Sequence, residues 1–206
     1  MLNIPSMNLE SSSVLEHYNK DTYVSYCEFL KKKYGKVPGN YFVNDKKNTK
    51  ITRGKEGLFI HHIYETKYDM LCNWEHCVLF HPEEALEEAQ EAENLVYCNL
   101  LEHYLLHLLI EKDGYRHYGC SGGIFIWIGP ELNDVYSGFT SKLTWKNKSY
   151  DLILGEKEDY IKLVQQFSED SKVPLEDFCK SFNAEYGWDE KKNEPLYNEI
   201  KKLSAK

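Results

Sequence analysis

Four histidines in this chain have the type and spacing needed to hold a metal ion and to move a proton. His61 and His62 end the short apolar run of residues 58–60. His103 and His107 stand four residues apart in a later apolar segment, and this spacing puts both on one face of a helix. Two such imidazoles and a third from a neighbouring strand form a metal pocket with open positions. The other strand histidine is then free to act as a base near neutral pH.

The elements that must position these side chains can be predicted from the residues around them. Residues 94–98 combine β-branched and aromatic side chains in a short apolar run, which predicts a second strand. Asn99 and Glu102 have the spacing of a capping box, and the leucines that follow supply an apolar surface. A helix that carries His103 and His107 is therefore expected directly after the second strand.

This order of elements resembles a known nuclease motif. A strand with His-His, a strand opened by Asn94 and a capped helix with His-x-x-x-His are similar to the ββα-metal motif of HNH (His-Me finger) nucleases, most closely the colicin-type DNases. HNH-like proteins of phages, plasmids and integrative elements are similar over about residues 50–110. The metal ligands that the resemblance implies are His61, His103 and His107. It also implies that His62 is the general base and that Asn94 orients it.

The expected fold class is α+β, with a ββα-metal (HNH) finger embedded in a mostly helical small domain. Residues 1–55 would form an N-terminal helix and a basic connection, and residues 56–113 the HNH-like core. An acidic helix, residues 82–93, is expected as an insert in this core. Residues 114–206 would form a mostly helical extension packed on the core.

Outside the core, apolar spacing predicts further helices. The segments with helical spacing are residues 13–34, 156–167, 175–186 and 196–203. Residues 124–128 are very apolar, which indicates a buried strand or a core helix, and residues 131–150 have the composition of a loop.

Composition indicates an intracellular globular protein. The chain has 206 residues, of which 42% are hydrophobic and 14% aromatic, so a hydrophobic core is expected. No apolar stretch reaches the roughly 20 residues that a bilayer requires. The N-terminus lacks a basic region followed by an apolar one, so a cytoplasmic location is expected. The six dispersed cysteines then indicate reduced thiols rather than a disulfide framework.

One cluster of soft ligands lies between the two halves of the motif. Cys72, His76, Cys77 and His81 fall within ten residues of one another. A structural zinc site is one interpretation, although this is not the spacing of a standard zinc knuckle. The other interpretation is that the cysteines are small core residues.

Charge is unevenly distributed along the chain. The formal net charge of −8 argues against an ordinary nucleic-acid binder, because phosphate contacts require a basic surface. However, residues 31–56 contain nine basic side chains against two acidic ones, whereas residues 82–93 contain six glutamates and no base. The basic block leads into the His-His strand and is either a phosphate-binding patch or a solvated loop. The candidate phosphate-binding residues are Lys46, Lys47, Lys50, Arg53 and Lys55.

The resemblance implies a metal-dependent endonuclease that hydrolyses phosphodiester bonds in DNA or RNA, encoded by a phage or another mobile element. The cofactor would be zinc, nickel, magnesium or manganese, and imidazole ligands favour zinc or nickel over magnesium. An alternative is an acidic inhibitor of the anti-CRISPR type on an HNH-like scaffold. It would act on a host CRISPR nuclease by blocking nucleic-acid binding or by cutting guide RNA. A third interpretation is a structural zinc domain that bridges other proteins.

Overall fold

Helices form most of the structure, and two small antiparallel sheets lie among them, so the fold is of the α+β class. The computed structural model describes residues 12–115 and 122–202. The α-helices of these residues are α1 (Val14–Lys20), α2 (Tyr23–Tyr34), α3 (Trp74–Phe80), α4 (Glu83–Leu86), α5 (Leu100–Lys112), α6 (Ile128–Tyr136), α7 (Thr144–Asp151), α8 (Lys157–Ser171) and α9 (Glu194–Lys201). The strands are β1 (Phe42–Val43), β2 (Lys46–Lys47), β3 (Phe59–His62) and β4 (Leu95–Cys98).

Strands β3 and β4 pair as predicted around the His-His dipeptide. They are antiparallel, with His61 opposite Val96 and His62 opposite Leu95. Strand β4 runs directly into α5 through Asn99, whose side chain accepts from the backbone N–H of Glu102 at 2.8 Å. The Glu102 carboxylate accepts in return from the Asn99 N–H at 2.7 Å. The predicted capping box is therefore confirmed, and it fixes the start of the helix relative to the strand.

Helix α5 is the centre of the hydrophobic core. Apart from His103, its residues from Leu100 to Ile110 are buried, and α1, α2, α6 and α8 pack around it. A helix that is apolar on nearly every side is stable only when it is enclosed by other elements. Side chains carried by α5 therefore sit on a rigid support.

The predicted helix over residues 13–34 is two helices. The chain becomes extended at Asp21 and Thr22, and the Thr22 side chain accepts from the Ser25 N–H, which starts α2. The Ser25 hydroxyl accepts in turn from the Thr22 N–H. This local capping is more favourable than continued helix because it satisfies N–H groups that a helix start leaves free. The predicted end at residue 34 is confirmed, and Gly35 follows as the C-cap residue with φ +83°.

The acidic insert, residues 82–93, is not the single helix that we predicted. Helix α4 covers one turn of it, and the 3₁₀ turns Glu88–Gln90 and Ala92–Asn94 follow. Glu87 leaves the helical region, with φ −102° and ψ −81°. The break lets Ala85 and Ala89 pack in a small core with Leu71 and Cys77. The six glutamates remain exposed.

The C-terminal half departs from the predictions in two places. Residues 131–150 are mostly helical, in α6 and α7, instead of the predicted loop. Residues 175–186 contain the 3₁₀ turns Leu175–Phe178 and Ala184–Tyr186 instead of a helix, because the N–H groups of Phe182 and Asn183 donate to the buried Asp134 carboxylate. Helices α8 and α9 confirm the remaining two predictions.

Two further expectations can be compared with the described residues. None of the helices in residues 12–115 and 122–202 is both long and apolar enough to cross a bilayer. The cysteines of these ranges are free thiols, and Cys120 lies outside them.

Candidate metal centre

Three of the predicted site histidines converge between β3 and α5. His61 lies in the second half of β3, and His103 and His107 lie one turn apart on α5. One ring nitrogen of each falls within 4.8 Å of the other two. The His103 and His107 ring centroids are both close to that of His61, at 5.1 and 5.4 Å. The strand–strand–helix order therefore brings together the residues that the sequence singled out as ligands.

A tyrosine that the sequence did not indicate fixes the His61 ring. The Tyr23 hydroxyl lies 2.8 Å from His61 Nε2 and 3.1 Å from the Ile63 carbonyl oxygen. A carbonyl can only accept, so the hydroxyl proton points to Ile63, and His61 Nε2–H donates to the hydroxyl oxygen. The lone pair of His61 is then on Nδ1, which is buried and has no hydrogen-bond partner among the described residues. A bare imidazole nitrogen beside two other imidazoles fits a metal ligand, and the contact to Tyr23 is the kind that orients such ligands.

Glu65 adds a carboxylate that the sequence analysis missed. Its Oε1 lies 3.7 Å from His61 Nδ1 and its Oε2 lies 3.5 Å from His107 Nε2. Ligands of one tetrahedral zinc ion are about 3.3–3.4 Å apart, so the carboxylate has nearly the spacing of a further ligand. The spacing His61-x-x-x-Glu65, across a short 3₁₀ turn, is the sequence signal that could have identified it.

Burial sets the protonation of this cluster. Desolvation holds the pKa of His61 and of His103 well below the usual range, and the neighbouring imidazoles lower both further. Both rings are therefore neutral at pH 7, which is the state that coordinates a metal. Desolvation raises the pKa of Glu65 to about 8, with the Asp69 charge adding to the effect. A bound cation would reverse the shift and ionise the carboxyl group.

His62 faces the opposite side of β3 from His61, since successive strand residues alternate. Its ring is enclosed, with 1% exposed, and its Nε2–H donates to Gln90 Oε1 at 3.1 Å. The Gln90 amide nitrogen donates to the Leu71 and Ala85 carbonyls, which fixes the orientation of the amide. His62 Nδ1 is the nitrogen that faces Glu65, 3.9 Å from Oε1. Burial lowers the pKa of His62 to about 3.

Asn94 does not make the predicted contact with His62. Its side chain donates to the Glu88 carbonyl at 2.8 Å, at the end of the turn before β4. The carboxamide that reaches His62 comes from Gln90, in the turn that Asn94 ties down. Asn94 therefore acts on His62 only through this turn. Gln90 is the one uncharged polar side chain in residues 82–93, which is the sequence signal for it.

The predicted basic residues precede the His-His strand in the sequence, and they differ in their contacts in the structure. Lys46, Lys47, Lys50 and Lys55 are exposed. The Arg53 guanidinium is held by the Glu56 carboxylate and the Tyr34 carbonyl, so three of its five N–H donors are already used. Lys47 Nζ lies 4.9 Å above the Tyr41 ring, and this ring lies 4.4 Å from that of His62. Lys47 is thus connected to the site through one aromatic ring.

A glycine makes room for the His107 ring. A Cβ atom on Gly123 would lie 2.7 Å from His107 Nδ1 and 2.8 Å from two ring carbons. Gly123 begins the π-helical turn Gly123–Trp127 that leads into α6. Such turns are rare and often occur at functional sites. No local sequence pattern indicates this role, because it depends on a contact with a distant helix.

No protein-family profile matches this chain, and neither a curated protein nor a solved structure shows significant similarity to it. The interpretation of the centre therefore depends on its residues and their geometry.

Proposed function

We propose that this chain is a metal-dependent phosphodiester hydrolase of the HNH type that acts on nucleic acid. The observation that carries the proposal is the convergence of His61, His103 and His107 within 4.8 Å, with Glu65 Oε1 lying 3.7 Å from His61 Nδ1 and 3.9 Å from His62 Nδ1. Three imidazoles and a nearby carboxylate favour zinc, nickel or a similar first-row ion over magnesium. We also propose that β3, β4 and α5 form the ββα-metal finger that the resemblance implies.

In the proposed reaction the three imidazoles hold the ion and Tyr23 keeps the His61 ring in place. When bound, the ion supplies Lewis acidity to the phosphate and to the departing oxygen. The imidazoles are neutral and an ionised Glu65 would cancel only one charge of a divalent ion, so the centre keeps a net positive charge that favours an anionic substrate. The exposed Lys46, Lys47, Lys50 and Lys55 are the candidate phosphate contacts, and Lys47 is the one connected to His62 through the Tyr41 ring.

The proton transfer is assigned to His62. Because Gln90 holds the Nε2–H of this ring, Nδ1 carries the lone pair that would accept a proton from the attacking water. Burial lowers the pKa of His62 to about 3 in the metal-free chain, so this step requires an ionised Glu65 that makes the ring more basic. Glu65 lies 3.9 Å from this nitrogen and stabilises the imidazolium that forms. Asn94 and Gln90 act as positioning residues, since neither lies among the ligands.

The test is the cutting of supercoiled plasmid DNA and of a structured RNA in zinc, nickel, manganese, magnesium or a chelator. We expect cutting with metal and none with chelator. His103→Gln should lose both bound metal and cutting, whereas His62→Ala should keep the metal and cut about 100-fold or more slowly. His17→Gln is the matched control, because His17 is paired with Asp21 away from the centre.

Undiminished cutting by His103→Gln, or cutting by the wild-type protein in chelator, would contradict the proposal. A Glu65→Gln variant is included because its carboxyl group faces the same space as His62 Nδ1. Loss of cutting in Glu65→Gln together with full activity in His62→Ala would transfer the role of base to Glu65 and leave the reaction class unchanged.

The exposed glutamates of residues 82–93 favour a second candidate function. A row of carboxylates without basic partners can imitate nucleic-acid phosphates, so the chain could inhibit a nuclease of the CRISPR type by occupying its basic channel. This candidate predicts a wild-type protein that does not cut and that prevents such a nuclease from binding DNA. Replacing Glu83, Glu84 and Glu87 with lysine should then abolish the inhibition.

A further inference from the structure

A second group of ligating side chains lies in the segment between β3 and β4, apart from the three-histidine centre. Asp69 Oδ1 is 3.2 Å from His76 Nε2 and 3.0 Å from His81 Nε2. The two imidazole rings have centroids 5.1 Å apart. One ligand atom from each residue falls within 4.8 Å of the other two.

Local structure explains why these three residues meet. The chain turns at Met70, whose φ is +51°, and Asn73 caps α3 by accepting from the His76 N–H at 3.1 Å. Helix α3 therefore carries His76 in its first turn and ends at Phe80, so that His81 comes next as the C-cap residue. One short helix thus returns His81 to the side of Asp69 where His76 already lies.

Neither Cys72 nor Cys77, the two cysteines of the predicted cluster, is part of this group. Cys77 is buried against Leu71 and the alanines of the insert, and its Sγ faces the Met70 and Leu71 carbonyls at 3.9 and 3.8 Å. Adjacent helical residues point about 100° apart, so His76 and Cys77 cannot serve the same ion. The predicted cluster of Cys72, His76, Cys77 and His81 is replaced by one with a carboxylate.

A hydrogen-bonded Asp–His pair would be the simplest alternative, and the geometry goes beyond it. One oxygen, Asp69 Oδ1, faces both Nε2 atoms, and the Asp69 carbonyl lies 2.7 Å from His81 Nε2. Two imidazole nitrogens thus converge on one carboxylate oxygen, and a bound ion would replace the hydrogen bonds that they make to Asp69. The side chains of Asp69, His76 and His81 are 24%, 25% and 11% exposed, which leaves a path for a ligand to enter.

We propose that Asp69, His76 and His81 form a second metal site, which takes a first-row divalent ion such as zinc. Two imidazoles and a carboxylate suit zinc, nickel and cobalt better than magnesium or calcium. The partial exposure leaves coordination positions for water.

The site would hold the segment that supports His62. The Leu71 carbonyl, two residues after Asp69, accepts from the Gln90 amide, and Gln90 accepts in turn from His62. An ion at the second site fixes the two ends of α3 and thereby the backbone around Leu71. The second ion therefore acts as a structural clip for the residues that orient His62.

The test is the metal content of the full chain after dialysis against zinc and then against metal-free buffer, together with cobalt titrations followed by visible absorption. The two clusters predict two ions per chain for the wild-type protein and for the His17→Gln control. His76→Gln and His103→Gln should each lose one ion, and the double variant should lose both. Cobalt bound to His103→Gln should show the absorption of the second site alone, and adding His76→Gln should remove it.

Circular dichroism verifies that each variant is folded, and His81→Gln serves as a second variant of the same site. The inference is overturned if His76→Gln and His81→Gln keep the full wild-type metal content. It is also overturned if His103→Gln alone removes all bound metal. A single wild-type ion that is lost in His76→Gln but kept in His103→Gln would support the second site while contradicting the proposed function.

Discussion

Two buried polar clusters in this molecule differ in whether they satisfy their own hydrogen bonds. In the C-terminal half, Asp134 Oδ2 accepts from the backbone N–H groups of Phe182 and Asn183 at 3.0 and 2.7 Å, and from the Asn183 amide at 2.9 Å. Asp134 Oδ1 accepts from the Asn193 amide at 2.7 Å. Every contact is made within the chain, so this cluster needs no ligand.

The histidine centre leaves an acceptor unused. His61 Nδ1 is buried and has no hydrogen-bond partner among the described residues, although two other imidazoles and Glu65 are close to it. Buried polar groups are almost always paired, so an unpaired one requires an explanation. The Asp134 cluster therefore serves the fold, whereas the unused acceptor of the histidine centre supports the proposal that this centre binds an ion.

The largest effect is expected from a substitution that removes the carboxylate of the Asp134 cluster. Asp134→Ala removes the carboxylate that accepts from four donors, of which only the Asn193 amide has another acceptor among the described residues, and should lower the free energy of unfolding by about 3 kcal/mol or more. Urea denaturation measures the loss, and Asp151→Ala, at an exposed position, is the control. The metal content should not change. A loss no larger than that of the control would show that the two clusters do not differ in this way.

Metal should stabilise the histidine centre and not the Asp134 cluster. In a His76→Gln background, which removes the second site, zinc at about 100 times its Kd should raise the free energy of unfolding by about 2.7 kcal/mol. Adding His103→Gln should remove this gain. Denaturation with and without zinc gives both values, and an equal gain in the two proteins would mean that zinc binds elsewhere.

Acid should destabilise the metal-free protein through its buried histidines. The pKa of His62 is about 3 in the folded chain and 6.5 in its ordinary state, so the unfolded chain binds the proton first as the pH falls. Its contribution is present above pH 6.5 and is lost as the pH drops from there toward 3, by up to about 1.4 kcal/mol per pH unit.

The measurement is urea denaturation in chelator between pH 7 and pH 4, for the wild-type protein and His62→Gln. The variant should show the shallower pH dependence, because it lacks one of the protons taken up on unfolding. Equal slopes would mean that His62 is not held neutral by burial.

The smallest expected effect is on zinc affinity, and it comes from the packing of the His107 ring against Gly123. Gly123→Ala places a methyl group within 2.8 Å of the His107 ring, so the ring must move and zinc affinity should fall by about tenfold. Gly155→Ala is a matched control, because a Cβ there would contact nothing within 4 Å. Isothermal titration with zinc measures both. An unchanged affinity in Gly123→Ala would show that His107 does not depend on this packing.

The parts of the centre that depend on neighbouring residues could be predicted from the sequence. The contacts that come from distant segments could not. The two strands, the capping box at Asn99 and the pairing of His103 with His107 follow from short-range periodicity and capping chemistry. Tyr23 and Gln90 reach the histidines from segments 38 and 28 residues away in sequence, and no local pattern records such contacts.

The errors in the helix predictions have the same origin. Residues 175–186 have helical spacing, but Asp134 takes the N–H groups that a helix would use. In residues 82–93 the burial of Ala85, Ala89 and Gln90 interrupts an otherwise helical composition. Tertiary contacts outweighed local propensity in both segments.

The most direct test of the metal centre is an anomalous difference map, recorded at the zinc absorption edge from crystals grown with zinc. We predict a peak bounded by His61 Nδ1 and one ring nitrogen each of His103 and His107, at about 2.0–2.1 Å from each nitrogen. A map without a peak between these three imidazoles would contradict the account.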